Sequence, residues 1–371
     1  MRVAIVGAGA IGCYLGARLA RKGHEVIVQG RPEQVAALNA QGLLVRLPNG
    51  REERQPLRAM TDLATEPDFA PQVILLTVKT QDVAEACAPL TEFAPRAPIV
   101  TLQNGLRADE MAAQVVGRGR VVGGVVMSAI AYLRPGEIEA QFPGWLIVGE
   151  PWGGPGARAR ELRDLLNDAT PTFIARDLAA VRWSKLIANL NNGLCAATGQ
   201  SLAELARSPL GRRLSLAVMR EGAAVAHAQG IHLDHGLYGL APRMLRQNPG
   251  TAPLALLNGL LPALLDTLPT PLAERIIGMT ARSALGRLPV RGSTWQSIAR
   301  GRATEIDYLN GEISRRGKAL GVPTPVNDVV TAAVRQAAET RQFVTLEALE
   351  STHGAETSAQ TPVARAKEGN T

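Results

Sequence analysis

The hydrophobic positions fall into two regimes along the chain. In the first half, short near-continuous apolar runs alternate with amphipathic stretches: RVAIVG, HEVIVQG, VILLTVK, APIVTLQNG, VVGGVVMS and GWLIVGE. Runs that are apolar at every position suit strands buried on both faces, and their alternation with helix-length segments predicts a mostly parallel sheet covered on each side. The later runs, near Pro135–Gly136, leave room for an antiparallel extension. Beyond about residue 176 helix-period segments take over, at 179–197, 201–229, 253–267, 271–286, 304–320 and 324–349, punctuated by Pro and Gly in LPTPLAE and LGVPTPVND. The pattern predicts an α/β domain over residues 1–176, an all-α domain over 177–350 and a polar tail over 351–371 that reads as disordered.

One helical segment is oddly polar. In WSKLIANLNNGLCAATGQ, residues 183–200, the apolar spacing is that of a buried helix, yet a lysine and three asparagines lie inside it. An unsatisfied buried amide costs roughly 1–3 kcal/mol, and a buried lysine costs more unless it is paired. On one continuous helix of about 100° per residue, Lys185, Asn189 and Asn192 fall at about 0°, 40° and −20°, a single polar stripe. Asn191 falls at about 240° and reads as a capping or packing residue. A cation with two amides suits a carboxylate and a carbonyl oxygen, and lysine is an apt proton donor because burial or nearby charge lowers its pKa toward neutrality. A solvated face with a snorkelling lysine fits the segment as well.

The first apolar run leads into Gly7-Ala8-Gly9-Ala10-Ile11-Gly12 and then into the helix-like CYLGARLARKG. Glycines at this spacing allow a tight turn, close backbone approach to a pyrophosphate and close helix–strand packing, while the helix N-terminus offers N–H groups to the anion. The second run ends in Gln29-Gly30-Arg31, where an NAD-binding chain carries an acid for the ribose hydroxyls. A cation there suits a 2′-phosphate, so NADP(H) is the expected cofactor. Lys79, Asn104 and Ala129 occupy further strand ends, where open α/β sheets bind ligands. Lys79 would hold a cofactor phosphate or ribose, and Asn104 would touch the nicotinamide ribose and a substrate oxygen, although each also suits ordinary loop chemistry. In STWQSIARGRATEIDYLNGEI, Gly301 reads as a break, Thr304 as an N-cap with Asp307 at the reciprocal position, and Glu305 as a first-turn acid. Ser293 and Ser297 carry little signal alone.

Composition narrows the class. With 371 residues, 46% hydrophobic and 20% charged, the chain suits two ordinary domains. Cys13, Cys87 and Cys195 form neither a disulfide framework nor a metal-ligand pattern, which favours a reducing, cytoplasmic compartment. The opening MRVAIVGAGAIG lacks a signal-peptide pattern, and the most apolar stretch, PLALLNGLLPALL, is interrupted by Asn258 and Pro262, so no membrane association is expected. The net charge of +7 is scattered, aromatics are only 4% and no nucleic-acid motif appears, so an anionic small molecule is the better partner. The five histidines lack ligand spacing, no metal is expected, and no serine or cysteine sits in a nucleophile elbow.

Together GAGAIG, VKTQD, QNG, WSKLIANLNNGL and GRATEIDYLNG, in that order, resemble the ketopantoate reductases (2-dehydropantoate 2-reductases), NADPH-dependent enzymes of pantothenate and coenzyme A biosynthesis. The resemblance covers the chain to about residue 345. It implies an α/β Rossmann-type N-terminal domain followed by an all-α C-terminal domain, a 6-phosphogluconate-dehydrogenase-like architecture with catalysis in the cleft between them. Carried over by position, it makes Lys185 the general acid, with Asn189 and Asn192 on substrate hydroxyl and carboxylate groups and Ser293 on the carboxylate. Glu305 would contact a substrate hydroxyl and the cofactor ribose, while Gly7 to Gly12, Arg31, Lys79, Asn104 and Ala129 would line the NADPH site.

Three departures accompany the resemblance. The family's second asparagine stands eight residues after the lysine, where this chain has Gly193, so the stripe geometry gives the role to Asn192. STWQS replaces the common SMxQD, bringing in the bulky Trp295 and putting Ser297 in place of the acid. Residues 236–290 are longer than in compact members. Two alternatives follow: a same-fold reductase of another branched or bulky 2-oxoacid, or an NADPH-binding sensor that uses the apolar 253–265 segment as an interface. The triad Lys185, Asn189 and Glu305 argues against the sensor, and a homodimer is compatible with either reading.

Overall fold

The computed structural model describes residues 1–153, 156–233, 265, 267–282 and 292–359. Strand β1 (Arg2–Val6) shows why the apolar runs carry no polar alternation. Val3 and Ile5 enter the core on one face of the sheet, and Ala4 and Val6 enter a second core on the other. Side chains alternate across a strand, so burial on both faces demands an apolar residue at every position.

The remaining strands are β2 (Glu25–Gln29), β3 (Leu43–Arg46), β4 (Glu52–Gln55), β5 (Arg58–Met60), β6 (Val73–Leu76), β7 (Ile99–Thr101), β8 (Val121–Val126), β9 (Ala129–Arg134), β10 (Glu137–Phe142), β11 (Leu146–Gly149) and β12 (Thr172–Ile174). Eight form one sheet in the order β12-β11-β8-β7-β6-β1-β2-β5, parallel throughout except where β11 runs against β8. β1 lies between β2 and β6, so the chain reverses its lateral direction there and leaves a crevice at the carboxyl ends of β1 and β6. Six strands were not legible as apolar runs: β3, β4, β5, β9, β10 and β12 are short or half-polar. Four of them form a second sheet, β4-β3-β10-β9, whose β9–β10 pair is an antiparallel hairpin across Pro135–Gly136.

The helices are α1 (Ala10–Arg21), α2 (Pro32–Gln41), α3 (Val83–Cys87), α4 (Leu90–Phe93), α5 (Ala108–Val116), α6 (Ala157–Asn167), α7 (Leu178–Asn189), α8 (Asn191–Thr198), α9 (Leu202–Arg207), α10 (Pro209–Ala228), α11 (Thr270–Arg282), α12 (Ser293–Ala299), α13 (Asn310–Leu320), α14 (Pro325–Thr340) and α15 (Leu346–Ala359). The second sheet packs on α1, and Leu43, Val45, Ile138 and Ala140 join Tyr14, Leu15 and Leu19 in one core. The chain divides into two compact units: the first contains Met1–Lys185, the second Leu186–Ile231 and the described residues from Leu265 onward. The division falls inside α7, past the 176/177 boundary expected from the loss of strand signal.

Several long helical segments are broken. The expected 179–197 helix is α7 and α8, interrupted at Leu190 where Leu190 N bonds Ile187 O at 3.3 Å and Gly193 N bonds Leu190 O at 3.0 Å. These three-residue bonds tighten the turn, while Leu190 keeps right-handed helical dihedrals, φ −58° and ψ −30°. The 201–229 segment divides at Ser208-Pro209, with Ser208 Oγ capping α10 by accepting from Gly211 N at 3.2 Å. The 324–349 segment ends its first helix at Arg341, whose φ of 58° is left-handed. α12 was not expected as a helix at all, and α15 extends to Ala359, into the stretch read as a disordered tail. Residues 253–264 of the apolar stretch and most of the long 236–290 segment lie outside the described residues, as do residues 360–371 of the tail.

Within the second unit, Glu221 on α10 caps α14 in place of its own N-cap side chain. Its carboxylate accepts from Val326 N and Asn327 N, both at 2.9 Å, and from Asn327 Nδ2 at 2.7 Å. Burial nevertheless pushes its pKa up to about 7, and the nearby Asp328 charge adds to the rise. Asn310 continues the chain, donating to Asn327 Oδ1 at 2.9 Å and to Leu190 O at 3.2 Å, so a buried polar line ends on the α7–α8 break. Gly222 lets α10 approach that break, because a Cβ there would lie 2.7 Å from Leu190 Cδ1.

Candidate active site

The glycine turn follows β1 at the crevice. Gly7 has φ of 117°, and a Cβ there would lie 2.7 Å from Val78 N; Gly12 is tighter still, with a Cβ 2.1 Å from Gly7 O. Gly9 contrasts with both: it is exposed, and a Cβ would meet nothing within 4 Å. The first and third glycines therefore serve packing, while the middle one keeps space open beside the N-terminus of α1. Gly9 caps that helix in extended conformation without a side-chain bond, and the first turn holds no acidic residue. Its amides are the unpaired donors of a helix start, so this turn fits a pyrophosphate.

Gly30 closes on the same turn, since a Cβ there would stand 2.4 Å from Ala8 Cβ. Arg31, next along, is the exposed N-cap residue of α2, and among the described residues no carboxylate forms an ion pair with it. Position and charge thus fit an adenosine 2′-phosphate. Lys79 follows β6 as the half-buried N-cap of a short 3-10 turn, Thr80–Asp82. Ala129 opens β9 and belongs to the second sheet rather than to the end of β8.

Asn104 lies beyond β7 in a segment tied to the neighbouring strand end. Gln103 Nε2 donates to Leu76 O at 2.9 Å and Val78 O at 3.1 Å, and Thr80 Oγ1 donates to Asn104 O at 3.2 Å. Its side chain meets the expected proton donor: Lys185 Nζ donates to Asn104 Oδ1 at 2.7 Å, although the two residues are 81 positions apart. One turn earlier on α7, Arg182 forms a buried ion pair with Asp109 at 2.6 Å, a feature that sequence reasoning missed. A cation three residues before Lys185 and an acid five residues after Asn104 were its only sequence signal.

In the second unit, Asn189 ends α7 and is half-buried. Asn192 lies against the start of α12: a Cβ on Gly292 would come within 2.6 Å of its Cγ and Oδ1, so Asn192 and the segment opening with Ser293 are brought together. Gly193 is buried, and a Cβ there would lie 2.4 Å from Asn310 Oδ1, which leaves no room for a side chain where the family has its second asparagine. Asn191 donates to Met219 Sδ at 3.3 Å and packs on α10, the role expected of it. Glu305 is the N-cap residue of a 3-10 turn, Ile306–Tyr308, and α13 begins only at Asn310. The Thr304 cap is therefore not formed, because the turn starts one residue later and Asp307 is engaged by Arg335, whose Nε donates to it at 3.0 Å. Among the described residues, no helix is long and apolar enough to cross a membrane.

The chain has known relatives. Residues 3–152 match the family Ketopantoate reductase PanE/ApbA, and residues 177–338 match Ketopantoate reductase PanE/ApbA C terminal. It is 26% identical over 337 residues to the 2-dehydropantoate 2-reductase of Pyrococcus horikoshii, covering 90% of this chain and 97% of the relative. A crystal structure of a PanE/ApbA family ketopantoate reductase from Ralstonia eutropha JMP134 is similar at 30% identity and a TM-score of 0.72, covering 92% of this chain and all of that one. D-mandelate dehydrogenase, solved with NADH and anilino(oxo)acetate, shares the fold at 23% identity and a TM-score of 0.74, with 92% and 99% of the two chains covered.

Proposed function

The chain belongs to the ketopantoate reductase family of NADP-dependent oxidoreductases acting on CH–OH groups, and from that premise we propose that it reduces 2-dehydropantoate to (R)-pantoate. NADPH supplies the hydride when bound. The observation that carries the reading is the bond from Lys185 Nζ to Asn104 Oδ1 at 2.7 Å, which joins the proposed proton donor to a strand-end segment of the nucleotide-binding sheet.

Lys185 gives a proton to the ketone oxygen as negative charge develops there, so the carbonyl becomes a hydroxyl without passing through a free alkoxide. Asn104 fixes the direction of the ammonium by accepting one of its N–H bonds. Asn189, Asn192 and Ser293 bind the substrate's carboxylate and hydroxyl groups in this reading, and Glu305 contacts a hydroxyl and the cofactor ribose. Gly7, Ala8, Gly9, Ala10, Ile11 and Gly12 hold the pyrophosphate, Arg31 the 2′-phosphate, and Lys79, Asn104 and Ala129 complete the cofactor site.

A second reading, reduction of another branched or bulky 2-oxoacid, is favoured by one observation: Gly193 has no room for the family's second asparagine, so the second amide comes from Asn192, one residue earlier, and meets the substrate from a different place. NADPH oxidation measured with a panel of 2-oxoacids decides between them. The highest kcat/KM is expected with 2-dehydropantoate. A clearly higher value with another branched or aromatic 2-oxoacid would move the assignment to that substrate, and no oxidation with any of them would leave a nucleotide-binding protein without turnover.

A further inference from the structure

Building on Lys185 as proton donor, we infer that Arg182 is a positioning residue, which locks the segment carrying Asn104 to the helix carrying Lys185. The guanidinium reaches three groups, one on the last residue of β7, one in the loop that follows and one in the first turn of α5. Arg182 Nη2 donates to Asp109 Oδ1 at 2.6 Å and to Thr101 Oγ1 at 3.2 Å, and Nη1 donates to Gln103 O at 3.3 Å. Thr101 Oγ1 in turn donates to Asp109, which closes the ring of bonds. Asn104 lies inside the stretch so clamped.

On α7, Arg182 and Lys185 are three residues apart and share a face. One helix face thus sends two cations to one segment: the guanidinium holds the peptide carbonyl just before Asn104, and the ammonium meets the Asn104 side chain. Gln103 Nε2 and Thr80 Oγ1 tie the same segment to the end of β6, and the Gln103 carbonyl ties it through Arg182 to α7. Arg182 adds to the direct Lys185–Asn104 bond a second link between α7 and that segment, this one to its backbone.

Stability alone is a poor reason for this pair. The Arg182 and Asp109 side chains are only 5% and 10% exposed, and a buried ion pair is often no more stabilising than well-packed apolar residues. The fold nevertheless makes room for it. A Cβ on Gly123 of β8 would lie 2.3 Å from Leu178 Cδ2 and also 3.1 Å from Asp109 Oδ2 and 3.2 Å from Arg182 Nη2, so the strand is glycine where the start of α7 and the pair both press on it. Proton transfer tolerates little misplacement, about 1 Å being enough to cost on the order of 100-fold in rate, which gives a rigid clamp beside the donor a catalytic value.

The test is a double-mutant comparison of kcat and KM for 2-dehydropantoate, with NADPH affinity followed by the fluorescence of the bound nucleotide. Arg182→Lys keeps the charge beside Asp109 but loses the fork. It is expected to lower kcat about tenfold or more while changing NADPH affinity less than about twofold. In an Asn104→Ala background the same substitution should cost less than about twofold, because the residue it positions is gone. Equal losses in both backgrounds, or an unchanged kcat for Arg182→Lys alone, would overturn the inference while sparing the proton-donor reading. Should Arg182→Lys fail to fold, Thr101→Val removes one acceptor, leaves the ion pair and carries the same comparison. Wild-type kcat in both Lys185→Ala and Asn104→Ala would sink the proton-donor reading, and this inference with it.

Discussion

Arg31 shows how far one side chain can be argued from its place. It stands at the end of β2, beside a turn that Gly30 approaches so closely that a Cβ would lie 2.4 Å from Ala8 Cβ, and no described carboxylate pairs with it. Arg31→Ala is therefore expected to weaken NADPH binding about tenfold or more and NADH binding less than about twofold, as measured by titrating each nucleotide. Equal losses for both would remove the 2′-phosphate from the account. The glycine turn and the place of Arg31 after β2 were legible because a tight strand–turn–helix requires fixed residue types within a short span of chain. Arg182 and Asp109 were not, since they are 73 positions apart and acquire meaning only when α7 lies against α5.

At the level of elements, sequence periodicity found the central strands but misjudged the helices wherever local chemistry interrupts them. Pro209 removes an N–H, Arg341 turns left-handed, and Leu190 tightens the chain between α7 and α8. None of these changes the spacing of apolar residues enough to be seen in it. The second sheet was legible only as room for an antiparallel extension near Pro135–Gly136, because β4, β9 and β10 are half-polar and β3, though apolar, is only four residues long. Glu221 supplies the element-scale prediction, since it joins α10 to the start of α14 with a pKa raised to about 7 from the usual 4.5. The native state then holds this proton more tightly than the unfolded chain. The contribution is full below about pH 4.5 and is lost as pH rises through about 7, an effect of up to about 3 kcal/mol. Thermal midpoints measured across that range should fall with pH in the wild type and fall distinctly less in Glu221→Gln. Parallel profiles would show that Glu221 does not titrate there.

For the whole molecule, the candidate site residues divide between the two units, with Lys185 counted in the first although it lies in the helix-period regime. The first unit holds the glycine turn, Arg31, Lys79, Asn104 and Lys185, and the second holds Asn189, Asn192, Ser293 and Glu305. Fold class and family were legible because the motifs of both units occur in order along the chain. The assignment of Asn192 was read from a continuous helix, which the structure divides by one tightened turn at Leu190, and its approach to the segment opening with Ser293 adds an observation that the sequence did not offer. The central claim is that Lys185 donates the proton in an NADPH-dependent reduction of 2-dehydropantoate, and single-turnover hydride transfer in Lys185→Ala tests it most directly. The account predicts a rate at least about 100-fold below wild type with NADPH affinity within about twofold. A wild-type rate in that variant, with NADPH still bound, would contradict it.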